Sequence, residues 1–72
     1  MNADALRAFL NERPFTPVDI HLSSGKVYSI RHPECAFVMK NTLVIGDPDK
    51  ETVNSCSLFH ITNVIKQQPV AA

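Results

Sequence analysis

The chain has no net charge: seven Lys and Arg balance seven Asp and Glu over 72 residues, and the isoelectric point is near 6.8. That balance removes any bulk attraction to nucleic acid or an anionic membrane, so binding of either kind has to come from a local patch. No apolar run approaches the ~20 residues a membrane span needs. The opening MNADALRAFLNERPF lacks the basic start and long apolar middle of a signal peptide. Together these absences point to a soluble cytoplasmic protein with no membrane partner. Cysteine is scarce, at two residues, and in a reducing cytosol both are expected as free thiols rather than a disulfide. Repeats, low-complexity tracts and linkers are also missing. A chain this short supports one core and not two. The expected organisation is one domain over residues 1–72, with a helix over about 3–12, a β-rich body over about 15–66 and a frayed tail over 67–72.

What is present favours folding. The hydrophobic share is 44% and the charged share 19%, with five Pro and two Gly, a globular rather than a disordered balance. A domain of this size buries only about 60% of its unfolded surface, so a metal, a disulfide or a partner subunit would matter to it.

Helical spacing comes first. Asn2 is a candidate N-cap, Asp4 complements the helix dipole in the first turn, and Leu6, Phe9 and Leu10 share one face. Pro14 and Pro17 end the run. The pattern then changes to period two. In PVDIHLSSGKVYSI, Val18, Ile20 and Leu22 alternate with Asp19, His21 and Ser23; Ser24-Gly25 supplies a turn and Val27–Ile30 returns. After a break at Pro33, Ala36–Met39 and Leu43–Ile45 read as a second hairpin, turning at Asn41-Thr42 and apolar enough to be covered on both faces. GDPDKET reads as a solvated acidic turn, Val53–Leu58 as a weak strand, LFH as a short turn and Ile61–Ile65 as the last strand. The fold class expected is α+β and mainly antiparallel β. An N-terminal helix precedes about five strands, which form a small Sm-like barrel or strongly bent sheet. The expected core is Leu6, Phe9, Leu10, Val18, Ile20, Leu22, Ile30, Phe37, Val38, Leu43, Ile45, Leu58, Ile61 and Val64.

The sharpest chemical question is raised by HPEC and CSLFH. His32, Cys35, Cys56 and His60 have the elements and nearly the spacing of a structural zinc site. Against it, Cys56 lies in a strand-like run, and a straight strand would put His60 ~13 Å from it. Free cysteines usually behave as small core hydrophobes, so no metal and no cofactor is expected, with that quartet as the weaker alternative. A thiol–imidazole pair drawn from Cys35 or Cys56 and a histidine lacks any supporting motif, and the chain is read as a non-enzyme. For single-stranded RNA the available contacts are Lys26, Arg31, Lys40 and Lys66, with Arg7 and Arg13 on the helix and Tyr28, Phe37 and Phe59 as stacking candidates.

Two resemblances follow from the element order. Over Leu6–Lys66 the layout resembles bacterial Sm-like proteins of the Hfq type. PVDIHLSSGKVYSI is similar to that family's first two strands, FVMKN to its third, and FHITNVIKQQPV to its closing histidine-containing strand and tail. The resemblance implies an N-terminal helix on a bent five-stranded barrel, a ring of subunits joined through edge strands, and RNA binding. His60 then matches the histidine near the uridine-binding pore. In finer detail, ERPFTPVDIHLSSGKVYSIRHPE and LFHITNVI look like a group of short uncharacterised bacterial proteins with a Pro-Phe-x-Pro lead-in, an IxLxxG hairpin reaching HPE, and an LxHIxxI ending. There Phe15, Pro17, Gly25, His32, Pro33, Glu34 and His60 belong to the shared pattern and the cysteines do not.

The functional expectation is a small non-catalytic interaction or assembly module. It would self-associate as a homo-oligomer through edge strands, since a short chain leaves edges that a second copy can satisfy. The alternative is an Sm-like single-stranded RNA-binding protein. Candidate binding residues are His32, Glu34, His60, Lys26, Arg31 and Lys40.

Overall fold

Asn2 begins the helix as expected. Its side-chain oxygen accepts from the Asp4 and Ala5 N–H groups at 2.7 and 3.4 Å, satisfying two donors that a helix start leaves open. The computed structural model describes residues 1–67, so the expected tail beyond Gln67 lies outside the described residues. Helix α1 runs Ala3–Leu10 and closes at Asn11, about two residues short of the expected end. The Arg13 guanidinium donates to the Leu10 and Glu12 carbonyls at 3.0 and 2.7 Å, serving acceptors that the last turn leaves free.

Among the described residues six strands follow: β1 Val18–Leu22, β2 Val27–Ile30, β3 Ala36–Val38, β4 Thr42–Asp47, β5 Thr52–Ser57 and β6 Ile61–Lys66. They form two antiparallel sheets of three, in the orders β2-β1-β6 and β3-β4-β5. The architecture is therefore α+β with six strands rather than about five. Among the described residues no pairing joins the two sheets, so the strands do not close a barrel. The physical reason lies at RHPEC. Pro33 cannot donate to a ladder, and Pro33–Cys35 forms a 3₁₀ turn that separates β2 from β3 where one bent strand could have run through.

The turns obey local chemistry. Between β1 and β2 the Gly25 N–H donates to the Leu22 carbonyl at 2.9 Å, and Gly25 sits at φ +92, a conformation side-chain-bearing residues avoid. Between β4 and β5 the Asp47 carboxylate accepts from the Asp49 and Lys50 N–H groups at 3.1 and 3.3 Å. LFH is the second 3₁₀ turn, Leu58–His60, with the Ser57 hydroxyl accepting from the Phe59 N–H at 3.2 Å.

Buried Leu6, Leu10, Val18, Ile20, Ile30, Val38, Leu43, Ile45, Leu58 and Ile61 make one core between the sheets and the helix. Phe9, Leu22 and Val64 pack at its margin. Phe37 does not belong to it and is 65% exposed. Ala36 and Val38 point inward, opposite Ile45 and Leu43, so Phe37 on the opposite pleat faces out. The helix is tied to the far end of β6 by Lys66, whose ammonium lies 2.7 Å from the Glu12 carboxylate and 5.7 Å from the centre of the Phe9 ring.

Candidate functional site

The residues singled out from the sequence fall into three places. Lys26, Arg31 and His32 line an open cleft of about 740 Å³ between β2 and the β4–β5 hairpin. Glu34 is 4.0 Å from the His32 ring, yet it borders a smaller groove on the other side of the 3₁₀ turn, beside Arg7, Arg13 and Phe37. Lys40 and His60 lie at one end of the molecule. There the Leu58 N–H donates to Asn41 O at 2.9 Å and the Ser23 N–H to His60 O at 2.8 Å, gathering the β1–β2 turn, the β3–β4 turn and the second 3₁₀ turn. The terminal ammonium of Met1 also donates to Leu58 O, at 3.1 Å.

This arrangement separates the histidines. His60 is held beside Ser23, just past one end of β1, whereas His32 follows Ile30, which pairs with Val18 at the other end. Five residues of strand, roughly 16 Å, lie between those anchor points. The zinc alternative of His32, Cys35, Cys56 and His60 is thereby corrected: among the described residues no three His, Cys, Asp or Glu side chains are grouped to hold a metal ion. The two thiols are free and half-buried. Burial pushes the Cys56 thiol above its ordinary pKa, because the low-polarity surroundings disfavour the thiolate.

Two further surfaces lie outside the candidate binding set, although the sequence offers Phe37 and Phe59 as stacking candidates. The first is the outer face of the β3-β4-β5 sheet, where Phe37 lies opposite half-buried Val44, and Val53, 74% exposed, lies opposite Gly46. Period-two alternation could have found it, but Ala36–Met39 is apolar in both phases, so the pattern fixes no inward side. The second is the end cluster, where Phe59 is 79% exposed and Met39 half-exposed near Lys40 and His60. The signal there was Phe59 itself, within a turn rather than a strand.

The edges of the sheets are unequal. In an antiparallel ladder, alternate residues turn their backbone groups toward the neighbour and away from it. The Met39 N–H donates to Thr42 O and the Leu58 N–H to Asn41 O. These bonds set the phase so that Thr52, Asn54 and Cys56 bond β4, while Val53, Ser55 and Ser57 direct N–H and C=O groups outward. The edge of β3 is met by the helix, whose Arg7 guanidinium donates to Val38 O at 3.3 Å. The outer edges of β5 and β6 have no strand beside them among the described residues. No family model, curated protein or solved structure matches this chain.

Proposed function

We propose that this chain is a small non-catalytic interaction module that assembles with copies of itself, joining β5 of one copy to β6 of the next. The observation that carries the reading is the pairing of a free strand edge with apolar surface. Val53, Ser55 and Ser57 offer unpaired backbone groups, and Val53 and Phe37 expose apolar side chains on the same face. Exposed strand edges with apolar side chains are templates for further pairing, and contiguous exposed apolar surface marks contact sites. On the other side of the molecule β6 contributes a second edge with Ile65, 44% exposed. A head-to-tail contact between two different edges closes into a ring when the rotation per subunit permits.

A second reading is an Sm-like single-stranded RNA binder. It is favoured by the strand order, which would be that of one bent sheet if β2 and β3 were continuous, and by Lys40 and the β1–β2 turn lying at the His60 end. Its weakness is electrostatic: Lys66, one of the available cations, is committed to Glu12 at the other end of β6. Light scattering with and without oligo-uridine separates the two. Assembly without an RNA-dependent shift supports the interaction module, a ring that binds the RNA supports the second reading, and a monomer that ignores RNA removes both.

A further inference from the structure

The cleft beside β2 has Thr52 and Asn54 of β5 in its far wall, and its β2 wall is itself a strand edge, distinct from those of β5 and β6. The Leu22 N–H donates to Lys26 O at 2.9 Å, which sets the phase of the β1–β2 ladder. Tyr28 and Ile30 therefore turn their backbone groups to Ile20 and Val18. Those of Val27, Ser29 and Arg31 turn away from β1, on the side of the cleft. Unpaired N–H and C=O groups in such a row are what an added strand bonds.

Charge then narrows the occupant. The β2 wall carries Lys26, Arg31 and His32, whereas the opposite wall carries Asp47 and Asp49 beside Lys50. A nucleic-acid strand bears a charge on every unit and would meet the two carboxylates throughout. An extended peptide can instead confine its carboxylates to its two ends, beside Lys26 and Arg31, and carry neutral residues between them. Lys26 lies on the same face as Tyr28, its ammonium 5.7 Å from the ring centre. Arg31 is five positions further, on the opposite face, about 17 Å along an extended chain. Two carboxylates five residues apart on an added strand would likewise fall on opposite faces. We propose that the β2 edge takes up an extended acidic segment of a partner protein by strand addition, its carboxylates paired with Lys26 and Arg31.

The probe is a capped, dye-labelled peptide, Glu-Val-Thr-Val-Thr-Glu, titrated into the full chain and followed by anisotropy and by amide NMR. Binding should shift and protect the Val27, Ser29 and Arg31 amides. Val27→Pro, which removes one outward donor without touching the β1 ladder, should weaken binding at least tenfold. Arg31→Glu, a surface change that leaves the core intact, should weaken it at least fivefold. The proposal is overturned if the peptide does not bind, if the Lys-Val-Thr-Val-Thr-Lys peptide binds equally well, or if oligo-uridine shifts the same amides instead. Protection of β2 that follows protein concentration and not peptide assigns the edge to a second copy and likewise overturns it.

Discussion

The two sheets share a core but treat their outer faces in opposite ways. On the β2-β1-β6 sheet the central strand turns Asp19 and His21 outward, and the Asp19 side chain and the His21 backbone carbonyl accept hydrogen bonds. The Asp19 carboxylate accepts from the Ser29 hydroxyl at 2.7 Å and the Gln67 amide at 2.8 Å, and the Thr62 hydroxyl donates to His21 O at 3.2 Å. On the β3-β4-β5 sheet the central strand turns Thr42, Val44 and Gly46 outward, with Phe37 and Val53 beside them. The first face is the more polar, with Val27 and Ile65 as its exposed apolar side chains, whereas the second leaves more apolar area, whose burial is worth ~25 cal/mol per Å². Phe37 and Val53, at 65% and 74%, are more exposed than Val27 and Ile65 on the first sheet, at 45% and 44%, which is why the proposed contact is drawn to the second sheet.

The largest effect expected is in the core common to both sheets. Ile20→Ala should cost about 2–5 kcal/mol in urea unfolding, because Ile20 is fully buried at the centre of β1. The same truncation at Phe37 should leave monomer stability nearly unchanged and act on assembly instead. Next is the asymmetry between the faces. Val53→Lys should weaken self-association at least tenfold by sedimentation, whereas Ser29→Ala on the polar face should leave it unchanged; equal effects would erase the distinction.

Acid sensitivity should track the polar face. Hydrogen bonds from Ser29, then Gln67, hold the Asp19 carboxyl below its ordinary value of 3.8. A carboxylate whose folded pKa is depressed contributes stability above its unfolded value, and that contribution is lost as pH falls from 3.8 through the folded value. Asp19→Asn should therefore flatten the decline in stability below pH 3.8, measured by urea titration across that range. The smallest effect expected is at the surface pair Glu12–Lys66. Half-exposed on both sides, it should lose no more than about 1 kcal/mol on Glu12→Gln in the same unfolding assay.

Much of the frame could be read from local chemistry. The Asn2 cap, the Ser24-Gly25 turn, the Asp47 turn and the phase of Val18–Leu22 are each decided within a few residues, where one pleat is apolar and the other polar. The phase of Ala36–Met39 was not legible, because every residue in it suits the core and only pairing with Leu43 and Ile45 selects Ala36 and Val38. The separation of β2 from β3 depends on how RHPEC folds, which set the strand count at six and left the sheets unjoined. Of the candidate residues, Lys26, Arg31 and His32 were placed together by proximity in the chain. Glu34 stays 4.0 Å from His32 but borders the other groove across the 3₁₀ turn, and Lys40 and His60 parted from them because the hairpins carry them to one end of the molecule.

The claim that β5 is an assembly edge can be tested at its own backbone. Hydrogen exchange of the Val53, Ser55 and Ser57 amides, followed from dilute to concentrated protein, reads the groups that the fold leaves unpaired. Protection that appears with concentration and is lost in Val53→Lys is the result predicted. Fast exchange of these three amides at every concentration, with Thr52, Asn54 and Cys56 protected throughout, would contradict it.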